Sequence, residues 1–383
     1  MSRTRYRLPF SLPLEPAMLF RPRGDFSRGL GWAPTGLRYY YLARNAIWHG
    51  LAGLDLKPGD VVLMPAYCHG VEIDVLEARG LVPRFYPVTE SFDVDWSAVE
   101  RLVTPEVRVL YVIHYLGVPH PIAAIRGLAS AHRLTLVEDC ALSLFSRAPE
   151  GPLGSFGAFA IFCLYNTLPL PHGGILAWNL EPGRLPPEPT VPDGKSTAVY
   201  LAHRFLDSLE LSWSPWGGDR LVAGVRSLGS AVKSGTGTKT VAIDTDHFEL
   251  KFADLGVSPT ARAILDRVDA AAVTRRRREN FARLRDALPP SVRPVFTSLP
   301  EGLCPLSLPI FVKDKEETQR RFAEAGIGTV NMWRRFHRAI PAASFPSVAF
   351  LRDHLLELPV HQSLRASHMD YIAERAGELA RWT

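Results

Sequence analysis

The sequence predicts an α/β protein built on a largely parallel sheet covered on both faces. Short, near-continuous apolar runs alternate with helix-like segments between Val61 and Trp178, the pattern of strands buried on both sides by crossover helices. The chain has 383 residues, 46% of them apolar and 22% charged, which excludes disordered, collagenous and coiled-coil classes. That length suits a large domain of roughly 200–250 residues with a smaller one beside it.

The first strong pattern is a helix from Leu42 to Leu54, with Ala43, Ala46, Ile47, Gly50 and Leu51 at helical spacing and Lys57-Pro58-Gly59-Asp60 ending it. Strands are expected at Val61 to Met64, Val82 to Tyr86, Val107 to Ile113, Leu134 to Glu138, Ala158 to Cys163 and Gly174 to Trp178. Helices are expected at Val71 to Arg79, from Trp96 and at Ile122 to His132. The rhythm fades over 180–255, where Leu185 to Pro192 is Pro-rich and Ser234 to Thr240 is rich in Gly, Ser and Thr; an irregular insertion is expected there. One long helix from Thr260 to Leu288 then leads to a strand at Leu306 to Val312. The expected organisation is a leader over 1–30, a large domain over 31–255 and a small α+β domain over 256–383.

Arg3, Arg5 and Arg7 are followed by Pro9, Pro13 and Pro16 with no apolar core of a secretory signal. The longest stretch without charged residues, Gly151 to Leu180, is interrupted by Gly, Pro, Asn and His, unlike a membrane span. A cytoplasmic protein with no membrane segment is the expectation. Cys68, Cys140, Cys163 and Cys304 lack metal-ligand spacing, so reduced thiols and no metal are expected. The formal net charge is +5, yet only seven of the 44 basic residues are lysines: Lys57, Lys195, Lys233, Lys239, Lys251, Lys313 and Lys315. The run Arg275 to Arg278 sits in a helix, where neighbours differ by ~100°, so it makes no single stripe and nucleic acid is not an expected partner. Gly235 to Thr240 lacks phosphate-loop spacing.

Ligands of open α/β sheets bind beyond the carboxyl ends of the strands. Here those ends deliver Tyr67, Cys68 and His69, then His114, then Asp139, then Tyr165 and Asn166. An aspartate straight after an apolar strand requires a cationic or N–H partner.

With these positions in place, the chain resembles the DegT/DnrJ/EryC1/StrS sugar aminotransferases, fold-type I pyridoxal-phosphate enzymes, from about Leu42 to Leu379. The markers are Lys57-Pro58-Gly59-Asp60-Val61-Val62, Met64-Pro65-Ala66-Tyr67, Leu136-Val137-Glu138-Asp139-Cys140-Ala141, Gly154-Ser155-Phe156-Gly157, Leu168 to Gly174, and Leu358-Pro359-Val360-His361-Gln362. The resemblance implies a seven-stranded-type, mainly parallel sheet, a small C-terminal domain and a homodimer. It implies that Asp139 faces the cofactor's pyridinium nitrogen, that His69 stands where a ring stacks on the cofactor, and that Ala43, Arg44 and Asn45 offer a phosphate-binding helix start.

The sequence departs from the family where the Schiff-base lysine belongs. The segment reads Ile161-Phe162-Cys163-Leu164-Tyr165-Asn166-Thr167-Leu168, with Asn166 at the lysine position and Cys163 or Ile161 at a phosphate-binding serine. Leu142 replaces a Gln or His, and Ser258-Pro259-Thr260-Ala261 replaces an Asn-x-Arg-Met element. An amide neither forms an imine nor acts as a base near neutral pH. Three substitutes for the lysine are open: Lys195, Lys233 or Lys239 from the insertion; His172 as base with pyridoxamine phosphate held noncovalently; or an amine from a partner chain. The expectation is therefore an aminotransferase-like protein binding pyridoxal or pyridoxamine phosphate noncovalently and acting on a nucleotide-linked keto- or amino-sugar or a related amine. The alternative is a catalytically inactive relative serving as a binding or regulatory scaffold.

Overall fold

The computed structural model describes residues 6–192, 194–213 and 247–380. Its strands are β1 (Gly36–Tyr40), β2 (Val61–Pro65), β3 (Val82–Tyr86), β4 (Val107–Ile113), β5 (Thr135–Asp139), β6 (Arg147–Ala148), β7 (Gly151–Pro152), β8 (Phe159–Cys163), β9 (Gly174–Trp178), β10 (Arg293–Pro294), β11 (Ser307–Phe311) and β12 (Leu355–Pro359). Seven form the main sheet in the order β1-β9-β8-β5-β4-β2-β3. Pairs β3/β2, β2/β4, β4/β5 and β5/β8 are parallel, while β9 is antiparallel to both β8 and β1. The strands β2, β8 and β9 are buried along their whole length, which is why they read as unbroken apolar runs. A second sheet, β10-β11-β12, belongs to the C-terminal half.

The switch to an antiparallel β9 needs no crossover helix, and the short turn Leu164–Thr167 follows β8 directly. Gly174 starts β9 against the beginning of the helix Ala43–Ala52: a Cβ there would lie 2.5 Å from the Ala43 nitrogen and the Leu42 carbonyl. The missing side chain lets the helix start sit directly against the beginning of β9. The neighbouring turn Gly154 to Gly157 is held by Glu138. Its carboxylate, buried at 1% exposure, accepts the N–H groups of Gly154, Phe156 and Gly157 at 2.9, 2.7 and 2.7 Å. His114 takes the His120 N–H on Nδ1 at 3.3 Å, so Nε2–H faces Glu138 at 3.2 Å. Glu138 and His114 are thereby structural.

Two expectations are corrected. The long helix over 260–288 is two helices, Pro259–Leu265 and Ala270–Ala287, because Ser258 caps the first through the Ala261 N–H and Asp269 caps the second through the Ala272 N–H. The irregular region over 180–255 contains a 20-residue helix, Gly194–Trp213; Lys233, Lys239 and the Gly235–Thr240 stretch lie outside the described residues, as does the Lys195 side chain. From Tyr6 onward the leader is packed on the rest of the chain. Leu8 pairs with Gly326 and Gly328 through backbone bonds, and Tyr6 and Leu8 belong to the core of the small sheet while Leu14, Phe26 and Leu30 belong to that of the large one.

Arg277 joins the two halves. Buried at 1% exposure, it donates to the carbonyls of Pro305, Leu306 and Thr167 and to Gln362 Oε1, at 2.8–3.2 Å. Arg278 binds the Pro300 and Leu303 carbonyls and Arg276 pairs with Glu279, so these three members of the arginine run face different partners. Among the described residues, no helix is long and apolar enough to cross a membrane. The four cysteines are free and buried.

Candidate active site

A cavity of about 610 Å³ opens beyond the carboxyl ends of β5 and β8. Its floor carries Asp139, Ala141, Ile161 and Cys163; the helix starting at Ala43 contributes Ala43 and Arg44, and the segment after β2 contributes His69 and Glu72. Val330 to Trp333 and Glu357, from the C-terminal part of the chain, and Phe10, Ser11 and Arg204 also line the cavity.

Asp139 is 2% exposed and is held from both sides, by the Tyr111 hydroxyl at 2.6 Å and the Ala141 N–H at 2.9 Å. The partner required by its burial is thus a hydroxyl and an N–H. Burial pushes its pKa up to about 7, with the Glu72 charge adding to the shift and the two hydrogen bonds opposing it. Glu72, 6% exposed, accepts the Gly70 N–H at 2.9 Å. Glu357, also on the cavity wall, accepts a hydrogen bond from the Ser307 hydroxyl at 2.6 Å, and burial pushes it up to about 7 as well.

Asn166 lines the cavity and donates its amide to the Ala141 carbonyl at 3.1 Å. Cys163 is an unreactive thiol, since burial pushes it up to about 12. The His69 ring stands on the wall with a buried Nδ1 that has no hydrogen-bond partner among the described residues. Arg44 is buried and donates to the His247 carbonyl at 2.6 Å. Trp333, at a positive φ of 44°, reaches the wall while packing on Tyr67, with ring centres 4.9 Å apart.

Two of the expected site residues fall elsewhere. Asn45 does not line the cavity; its N–H closes a turn on the Leu42 carbonyl and its amide binds the Phe252 carbonyl at 2.7 Å. His172 is stacked on Tyr41 at 4.0 Å with Nε2 on the Thr197 hydroxyl at 3.1 Å. Burial pushes it down to about 4, and it is not on the cavity wall. Ser258, at the position of the family's Asn-x-Arg-Met element, serves as a helix cap. Among the described residues no lysine lines the cavity. The buried Lys315 amine lies behind the wall, donating to the Met332 and Arg352 carbonyls at 3.2 and 2.9 Å.

Glu72, Glu357, Arg204, Phe10 and Ser11 were not anticipated. A charged residue in the first turn after a buried strand was the available signal for Glu72; the others reach the cavity only through long-range packing.

Over nearly its whole length the fold is that of solved sugar aminotransferases. A sugar aminotransferase from Micromonospora echinospora superposes with a TM-score of 0.65 at 19% identity, covering 97% of this chain and 99% of that one. A Helicobacter pylori aminotransferase involved in pseudoaminic acid biosynthesis gives 0.66 at 12%, with the same coverage. At these identities the likeness concerns the fold. Residues 43–179 match the sequence model of the DegT/DnrJ/EryC1/StrS aminotransferase family. A dTDP-3-amino-3,4,6-trideoxy-alpha-D-glucose transaminase of Streptomyces venezuelae is 32% identical over 124 residues, 32% of each protein. A UDP-N-acetyl-3-dehydro-alpha-D-glucosamine 3-aminotransferase of Acidithiobacillus ferrooxidans is 27% identical over 131 residues, 34% of this chain and 36% of that protein. The matched region thus spans about a third of these curated relatives.

Proposed function

We propose that the protein binds pyridoxal or pyridoxamine phosphate noncovalently and acts, as a homodimer, on a nucleotide-linked keto- or amino-sugar or a related amine. The observation that carries this reading is Asp139: a buried carboxyl at a strand end, open to the cavity, aligned by Tyr111 and Ala141. The residues present fit a pyridine ring. Asp139 holds a proton at the ring nitrogen, the unpartnered edge of His69 offers a wall, and Ala43 and Arg44 supply the electropositive start of a helix for a phosphate. They do not fit covalent attachment, since Asn166 is no nucleophile. When bound, the cofactor supplies an electron sink.

Proton exchange near neutral pH falls to carboxyl groups. Glu357, pushed up to about 7 on the cavity wall, is poised to gain or lose a proton there. The nucleotide-sugar names of the relatives support the substrate class.

A second reading, a catalytically inactive binding scaffold, is favoured by the Asn166 amide bond to Ala141, which gives the lysine position a structural task. Titration of the full chain with each vitamer, followed by borohydride and mass spectrometry, tests the first reading. Saturable binding without a trapped adduct, weakened by Asp139→Asn, is expected; absence of binding overturns it. Amino transfer to a nucleotide-linked keto-sugar, lost in Asp139→Asn, overturns the scaffold reading.

A further inference from the structure

Asp139 shares its wall with a second carboxylate. Glu72 lies in the first turn of the helix Val71–Ala78, which follows β2, while Asp139 ends β5, two strands away in the sheet. Both line the same cavity and both are nearly inaccessible to water. Among the described residues, neither has an arginine, lysine or histidine nitrogen within 4.0 Å. Arg352, from the helix Pro346–His354, is a cation whose field reaches Glu72, but its two Nη groups donate to the carbonyls of Cys68, Trp333 and Arg335 and its face lies on the Tyr67 and Phe336 rings. The other ionisable groups around the pair are Tyr111, Tyr115, Cys68, Cys140 and Cys163, all pushed toward their neutral forms by burial. Arg44, Arg204, His69, Tyr165 and Glu357 stand on the remaining walls.

Two carboxylates on one dry wall repel unless a proton or a cation lies between their charges. The protein supplies two donors to Asp139 and one backbone N–H to Glu72, and all three are neutral. We infer that Glu72 joins Asp139 in receiving a positively charged ring nitrogen, and that Glu72 is the residue by which this cavity separates a protonated pyridine from an uncharged ring of the same shape. The inference rests on the cofactor reading above and extends it from Asp139 to a residue outside the motifs that carry the family resemblance.

The test compares pyridoxamine phosphate with its analogue bearing carbon in place of the ring nitrogen, by quenching of tryptophan fluorescence in the full chain. The wild type is expected to prefer the nitrogen compound by about tenfold or more, the scale of one charge interaction in a partly dry site. Glu72→Gln should lower that preference several-fold and Glu72→Asp should retain most of it. Glu72→Ser provides the same test if the amide variant does not fold. An unchanged preference in Glu72→Gln, with Asp139→Asn abolishing it, overturns the role of Glu72 and leaves the cofactor reading standing. Failure of the wild type to bind either compound overturns both.

Discussion

The Asn166 amide donates to the Ala141 carbonyl across 3.1 Å, and the Ala141 N–H donates in turn to Asp139 across 2.9 Å. One residue, Ala141, thus bridges Asn166 and the carboxyl on the cavity floor. Asn166→Lys breaks the first of these bonds, at a cost of about 1 kcal/mol, and brings an amine to the cavity wall. A borohydride-trapped adduct with pyridoxal phosphate, located by peptide mass spectrometry at position 166, is the expected outcome. An adduct elsewhere in the unmodified protein would reveal another lysine at the site.

Glu357 makes stability depend on pH. Its carboxyl, ordinarily near 4.5, is pushed up to about 7 by burial, against the opposing effects of the Ser307 hydroxyl and the Lys315 charge. The folded protein therefore binds a proton that the unfolded chain has released. This contribution is fully present below about 4.5 and is lost as pH rises through 7. Glu357→Gln keeps an acceptor for Ser307 and removes the titration. The variant should lose less unfolding free energy between pH 5 and 8 than the wild type, a difference on the order of 1–3 kcal/mol, read from urea midpoints at the two pH values.

Gly174→Ala places a methyl 2.5 Å from the Ala43 nitrogen and the Leu42 carbonyl. Backbone on both sides cannot yield like a flexible side chain, so the start of the helix Ala43–Ala52 must shift, costing about 1–3 kcal/mol. Because Ala43 and Arg44 line the cavity, pyridoxamine phosphate should bind more weakly than unphosphorylated pyridoxamine is affected. Equal weakening of the two would separate the helix start from phosphate recognition.

Arg277→Lys tests the joint between the halves. Lysine retains the charge but cannot reach Thr167, Pro305, Leu306 and Gln362 at once from a planar fork. Leaving buried carbonyls unpaired should lower stability by about 2–4 kcal/mol, read as a fall in the urea midpoint. Thr167 adjoins Asn166, so weaker cofactor binding should accompany it.

The central strands were legible because strands buried on both faces must be apolar throughout, and β2, β4, β5, β8 and β9 lie within a residue or two of their expected limits. The edge strand β1 was not anticipated, being half-buried and without such a run. Nor was the helix Gly194–Trp213, flanked by Pro-rich sequence. Asp139, His69, Cys163 and Asn166, singled out near strand ends, and Ala43 and Arg44, singled out at a helix start, line one cavity. Asn45 and His172 were misplaced because chain proximity does not reveal which way a side chain turns: Asn45 turns to Phe252, and His172 to Tyr41 and Thr197.

By itself the sequence determined the parallel α/β framework, the carboxyl at Asp139 and the amide at Asn166, since periodicity and residue chemistry are local properties. Only the tertiary structure decided what surrounds them. Glu72 and Asp139 are 67 positions apart in the chain and share a wall because the β5 and β2 ends open on the same side of the sheet; Glu357 and Phe10 arrive from opposite ends of the chain. The charge balance of the cavity depends on distances between such residues, and those are set by packing.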